Sequence, residues 1–303
     1  MQAQIAQFLT HMVSERGVSV NTTAAYRTDL DQLCTFLHEQ DVTAWADVTH
    51  DHVLRFMLFL RERRYASSTM ARRTAAIKSF FGYLTSQQIV PSDPTEQIDS
   101  PKVDREPPKS IAPHQVDALL ELPLRSSSPE GLRDKAMLEL LYATGMRVGE
   151  LVALEIKDLD LAYGTVRCAG RGGRERTLPL TPATGTALEE YLDTGRGQLA
   201  RNNPEPDTAL FLNHRGKRLT RQGFWLILKG YAEQVGLDDL TPHTLRHSFA
   251  AHLISDGAEL REVQERLGHA SLSTTQVYAH MGNGSTLRPS SAANQNGTYP
   301  EEA

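Results

Sequence analysis

Apolar residues return every three to four positions along most of this chain, and that spacing predicts helices. Ile5, Phe8, Leu9 and Met12 recur at i, i+3, i+4 and i+7. Tyr26, Leu30, Leu33 and Leu37 share one face of a second helix, with Asn21 as its expected N-cap. A third places Val53, Phe56, Met57 and Leu60 in a stripe behind Thr49 as cap, and a fourth does so with Ile77, Phe80, Phe81 and Leu84. Arg72 and Arg73 lie off that last stripe and are read as free to face a partner. These patterns describe a small all-helical, four-helix domain over residues 1–92.

The texture changes at residues 93–110, which are proline-rich and carry almost no large apolar side chain. Proline removes a backbone donor and disfavours helix at the residue before it, so an extended linker is expected. A second domain, 111–281, resumes the helical pattern and adds two short strands, Thr165–Cys168 and Thr177–Leu180, about a turn rich in Gly and Arg. Helices follow near 183–194, 221–235, 242–255, 259–267 and 274–280. Pro242 after Thr241 is a favoured start, Gly268 a stop, and Ser273 with Gln276 a capping-box pattern. Residues 282–303 are polar and aperiodic, and are expected to be disordered. The fold class is therefore mainly α, with a small β-sheet in the second, mostly helical domain.

Composition narrows the picture only slightly. The 303 residues contain 40% hydrophobic side chains and no apolar run of membrane-spanning length, and the first residues lack the pattern of a signal peptide. Two cysteines, Cys34 and Cys168, are too few for a disulfide framework or a thiolate metal site, which suits a reducing cytoplasm. A net charge of −5 argues against binding nucleic acid by bulk charge. The distribution says something else. Residues 61–78 carry six Lys/Arg against one acid, 167–176 four Arg against one Glu, and 213–221 four basic residues with no acid. Local positive charge is what phosphate contacts need, and Arg72, Arg73, Lys78, Arg174, Arg176 and Lys217 are the expected contacts to a polyanion.

Four motifs in the second domain call for one explanation: "ATGMRVGEL" (143–151), "GRGGRER" (170–176), "HTLRHS" (243–248) and "LGHASLSTTQVYAH" (267–280). His243, Arg246 and His247 fall at i, i+3 and i+4, one helix face. The pair His243 and His247 has zinc spacing, but Thr244 stands where a zinc protease has Glu, and Arg246 would repel a cation. No metal and no cofactor are expected. Taken singly, Arg147 reads as a surface arginine, His243 as a core histidine, His269 as a helix-end donor and Tyr278 as packing. Together they suit a phosphodiester. Planar arginine forks answer charge on non-bridging oxygens, histidines exchange protons or donate to phosphate, and a tyrosine hydroxyl can attack.

These boxes resemble those of the tyrosine recombinases, the phage integrase family, and within it the XerC/XerD-type site-specific recombinases. The likeness spans roughly residues 3–281, and its N-terminal part resembles that family's core-binding, SAM-like domain. The resemblance implies that Arg147 and Arg246 clamp the scissile phosphate, His243 serves in acid–base catalysis and His269 hydrogen-bonds a phosphate oxygen. Tyr278 would attack to leave a 3′-phosphotyrosine and a free 5′-hydroxyl, without metal or ATP. Glu150 would hold Arg147, and His247 and His280 are assigned packing or helix-end roles. Arg171 stands where the family carries a lysine that protonates the leaving oxygen, and an arginine pKa above ~12 makes it a poor proton donor. The implied partner is double-stranded DNA, held in a clamp, with four protomers on two sites and a paralogous recombinase as a candidate co-subunit. The implied role is chromosome or plasmid dimer resolution in the cytoplasm, at the nucleoid. A mobile-element integrase and a catalytically weak DNA-binding or architectural protein are the alternatives.

Overall fold

A computed structural model describes residues 1–101, 109–170, 174–205 and 207–279. The chain divides into two compact units, 1–106 and 107–303. The first holds α1 (Gln2–Ser14), α2 (Val20–His38), α3 (His50–Glu62) and α4 (Ser67–Ser86). Each expected stripe turns inward: Ile5, Phe8, Leu30, Leu33, Phe56, Leu60, Phe80 and Phe81 are all buried in one core. Thr49 caps α3 in a box closed by His52. The cap of α2 is Ser19 rather than Asn21, its side chain accepting from Thr22 N, because the helix starts earlier, with Val20 in solvent.

Two expectations for this unit need correction. Residues 94–98 are not free linker: Ile98 joins the core, Thr95 is buried, and Asp93 Oδ1 accepts from Thr95 N at 2.8 Å. Pro94 opens a turn that packs against the core, so residues 94–98 belong with the first unit rather than with a linker. Arg72, Arg73 and Lys78 are not free cations. Asp29, buried on α2, pairs with both arginines, and Arg73 itself is buried with its guanidinium 3.9 Å over the Tyr65 ring. Lys78 Nζ donates to Ile98 O at 2.7 Å. Among the cations of that cluster, Arg61, Arg63 and Arg64 are the exposed ones.

The second unit begins with α5 (Pro113–Glu121), α6 (Pro129–Thr144) and the single turn α7 (Val148–Leu151). A three-stranded antiparallel sheet follows, β1 (Leu159–Asp160), β2 (Thr165–Ala169) and β3 (Glu175–Pro179), with Val166 opposite Leu178 and Cys168 opposite Arg176. The two-residue β1 is too short to leave a sequence signal. Then come α8 (Pro182–Glu190), a π-helical stretch Tyr191–Arg196, α9 (Gly197–Ala200), α10 (Arg221–Gln234), α11 (Pro242–Ser255), α12 (Leu260–Leu267) and α13 (Leu272–Ala279). Helix α6 lies at the centre, with Ala136, Met137, Leu138, Leu140 and Leu141 buried. Nearly all-round burial explains why it has no clear amphipathic stripe. No described helix is long and apolar enough to cross a membrane.

Candidate active site

The site forms where three helix ends and one strand meet. Helix α6 stops at Gly145, whose φ of +61° is the left-handed conformation glycine tolerates best. The chain then turns, and Arg147 becomes the residue before α7. Its N–H donates to Glu150 Oε2 at 2.7 Å, and its Nη1 to Glu150 Oε1 at 3.0 Å. Thr241 caps α11 with Pro242 at its first position, which points His243, Arg246 and His247 from consecutive turns of one face.

Helix α12 supplies the anchor. Its last carbonyls have no intrahelical partner and carry the negative end of the helix dipole. Arg266 O accepts from Arg176 Nε at 3.0 Å, Leu267 O from Arg246 Nη2 at 2.5 Å, and Gly268 O from Arg147 Nη2 at 3.4 Å. Three consecutive carbonyls thus receive three guanidinium groups. Gly268 makes the turn with φ +62°, and a Cβ there would lie 3.1 Å from Arg176 Nη1.

Arg246 is buried and also donates to Gly145 O. Burial, aided by the neighbouring Arg147 charge, pulls its pKa down to about 10, so it stays charged at neutral pH. Glu150 is buried too. Burial alone would raise its carboxyl, but hydrogen bonds from Arg176 and the Arg147 N–H, with both positive charges, outweigh that and bring it below the usual range.

Tyr278 is buried beside Phe249, Ala250, Val263 and Leu267. Its hydroxyl sits 2.6 Å from His247 Nδ1, and burial pushes its pKa up against the pull of Arg246 and Arg147. The His269 ring is stacked 6.4 Å from the Tyr278 ring, and its Nδ1 lies 3.0 Å from Thr275 Oγ1. Burial first, then Arg246 and Arg147, lower the His269 pKa to about 4, so the ring is neutral at pH 7. A Thr275 hydroxyl donating to Nδ1 leaves Nε2–H free to donate to an anion. His243 is exposed, its ring 6.5 Å from that of His247.

The structure therefore brings Arg147, His243, Arg246, His269 and Tyr278 together. It also corrects the reading of Arg176. The residue alternates inward with Leu178 on β3, and its guanidinium is spent on Glu150 and Arg266 O rather than left for DNA. Arg174 and Lys217 are exposed. Arg171 and His280 lie outside the described residues, as does the 282–303 tail. His247 belongs to the site through the Tyr278 hydroxyl, beyond the packing role expected for it. Its i+4 spacing from His243 and its match to the family's pattern are the two signals that point to it. Thr275 left none. The capping pattern at Ser273 is also displaced: Ser271 Oγ accepts from Ser273 N, and Ser273 lies inside α13.

The described residues hold no cluster of three or more His, Cys, Asp or Glu side chains fit for a metal ion. What the site offers an incoming ligand is fixed positive charge around a hydroxyl, which matches a phosphodiester.

Comparison with known proteins agrees with that chemistry. The phage integrase family model matches residues 109–283, and that of the phage integrase N-terminal SAM-like domain matches 5–88. The chain is 61% identical to a tyrosine recombinase XerC of Roseiflexus sp. (strain RS-1), over all of this chain and 98% of that one. It is 44% identical to a tyrosine recombinase XerD of Oceanobacillus iheyensis, over 93% of this chain and 94% of that one. Its fold is similar to the crystal structure of XerH site-specific recombinase bound to palindromic difH substrate, a post-cleavage complex. The TM-score is 0.72 at 22% identity, covering 92% of each chain. With both of its units matched and a near-full-length relative at this identity, the chain belongs to the phage integrase family and is a tyrosine recombinase of the XerC/XerD type.

Proposed function

We propose that this recombinase cuts and rejoins DNA at a specific site with Tyr278 as nucleophile, and that its task is resolving chromosome or plasmid dimers. The observation that carries the residue roles is Tyr278 standing within the electrostatic reach of Arg246 and Arg147 and with its ring stacked beside that of His269, each arginine being tied to a helix-end carbonyl. Arg147 and Arg246 are the phosphate clamp. Both keep donors beyond those tied to carbonyls and Glu150, and prior fixation means little reorganisation when charge builds. His269 is a neutral donor to a non-bridging oxygen. His243, exposed at the first turn of α11, serves the departing 5′-oxygen.

In this reading Tyr278 Oη bonds to phosphorus as the bond to O5′ breaks. The product is a 3′-phosphotyrosine that keeps the ester energy, so a 5′-hydroxyl from a second strand can reverse the step without ATP. Arg171, at the position of the family's lysine, would stabilise charge rather than give up a proton. Double-stranded DNA is the substrate, engaged by exposed cations including Arg174 and Lys217. Two DNA sites and four protomers are the assembly, with a second copy or a paralogue as co-subunit, and the nucleoid is its place of work. The near-full-length identity to XerC-named relatives favours dimer resolution over element integration.

The test is a nicked duplex carrying the target site, from which the cut strand's fragment diffuses away. The wild type should accumulate a covalent protein–DNA adduct, and Tyr278→Phe should form none while still binding. A wild type that binds without forming an adduct would leave a DNA-binding protein instead.

A further inference from the structure

Every tyrosine nucleophile faces the same obstacle: its hydroxyl proton has to leave as the oxygen attacks. Here the obstacle is heightened, since burial raises the Tyr278 pKa and the hydroxyl stays protonated at neutral pH. The nearby arginines have no lone pair to offer. His269 has its Nδ1 engaged with Thr275. Among the described residues one nitrogen acceptor touches the oxygen, and that is His247 Nδ1 at 2.6 Å.

We infer that His247 is the proton acceptor for Tyr278, a catalytic role separate from that of His243 on the leaving oxygen. The inference rests on Tyr278 being the nucleophile. With the imidazole in its Nε2–H tautomer, Nδ1 accepts from the Tyr278 hydroxyl, and burial together with the charges of His243 and Arg246 lowers the His247 pKa and disfavours a proton already on that nitrogen. The groups facing His247 are Tyr278 on α13, His269 after α12, and Arg246 and His243 on its own helix. None is a carboxylate, so nothing raises its pKa enough to have it protonated before the reaction.

The step balances. The Oη–phosphorus bond forms, the phosphorus–O5′ bond breaks, and the hydroxyl proton passes to Nδ1. The departing 5′-oxygen takes a proton delivered from solvent through His243. In rejoining, the 5′-hydroxyl loses its proton to that solvent-open end and His247 returns its own to Tyr278. His243 and His247 stand at i and i+4 of α11 with their rings 6.5 Å apart, so one helix holds both proton-transfer groups.

The experiment measures adduct formation on two nicked duplexes, one with the natural oxygen and one with a 5′-bridging sulfur at the scissile position. A thiolate leaves without a proton, so sulfur rescues a missing acid and not a missing base. His247→Gln can still hydrogen-bond the hydroxyl but takes no proton at neutral pH. It is expected to slow cleavage about 100-fold on both duplexes, with the residual rate rising about tenfold per pH unit above pH 7 as hydroxide takes over. His243→Gln is expected to be slow on oxygen and restored on sulfur. Circular dichroism and a gel shift confirm that each variant folds and binds, and His247→Asn serves if the longer amide does not fit. Wild-type rate in a folded His247 variant would overturn the inference, as would rescue by sulfur, which would make His247 the acid. An adduct surviving Tyr278→Phe, or none from the wild type, would overturn the nucleophile itself and this role with it.

Discussion

Arg176 grips both oxygens of Glu150, at 3.1 and 2.8 Å, and Arg147 donates to that same carboxylate at 3.0 Å. One buried acid therefore sets the position of Arg147 and of the strand that carries Arg176. Glu150→Gln leaves two guanidinium groups without their counter-charge. It should cost about 3 kcal/mol in urea unfolding at pH 7, in line with a buried pair broken from one side. The folded-state pKa is depressed, so the contribution is complete above the unfolded value of about 4.3 and disappears as pH falls through the lower folded one. Wild type and variant should converge in that acid range.

Arg73 separates stability from DNA affinity. With its guanidinium beside Asp29 and over Tyr65, Arg73→Ala should lose about 3 kcal/mol of stability and leave the salt dependence of DNA binding unchanged once folded protein is compared. The exposed pair Arg61→Ala/Arg64→Ala should do the reverse. It would flatten the slope of log affinity against log salt by about one for each phosphate no longer neutralised, with stability held within about 0.5 kcal/mol. Fluorescence anisotropy across a salt series measures the first effect and thermal melts the second.

Gly145→Ala meets two penalties. The φ of +61° disfavours a side chain, and an added Cβ would lie 2.2 Å from the Phe249 ring. A loss of about 3 kcal/mol is expected. The carbonyl of Gly145 also holds Arg246, so adduct formation should fall roughly tenfold or more in protein that remains folded.

His269 gives the protein an acid sensitivity. Its folded pKa of about 4 lies below the unfolded value, so the unfolded chain takes up the proton first as pH falls. The penalty is absent above about pH 6.5, grows towards pH 4 and is constant below. The ring is partly open to solvent, which limits the effect to about 1–2 kcal/mol. His269→Gln should remove that part of the acid destabilisation, seen as a smaller melting-temperature drop from pH 7 to pH 5 than the wild type shows.

The helical stripes of α1 to α4 were readable because a period of 3.6 survives wherever one face is buried and one is wet. The candidate cluster of Arg147, His243, Arg246, His269 and Tyr278 is legible because its boxes are local: Arg147 lies near Glu150, His243 near Arg246 and His269 near Tyr278 in the chain. Failures came from pairing at a distance. Nothing near Arg73 in the chain announces Asp29, two helices earlier, and a cluster of cations looks alike whether it faces solvent or a buried acid. Arg176 was misread for the same reason, since its partners Glu150 and Arg266 lie in other elements. The Tyr278–His247 pairing required two helices to be docked before it existed.

The three carbonyls at the end of α12 have a mechanical meaning. Arg176, Arg246 and Arg147 are all moored to Arg266, Leu267 and Gly268, and the backbone runs on at once into His269 and α13. A single turn of peptide thus joins the carbonyls that hold three guanidinium groups to the helix that carries Tyr278. Unwinding that turn would take one bond from each of the three cations, while Glu150 still held Arg147 and Arg176 and Gly145 O still held Arg246. The packing of the three guanidinium groups and the placement of Tyr278 are therefore coupled through that one turn.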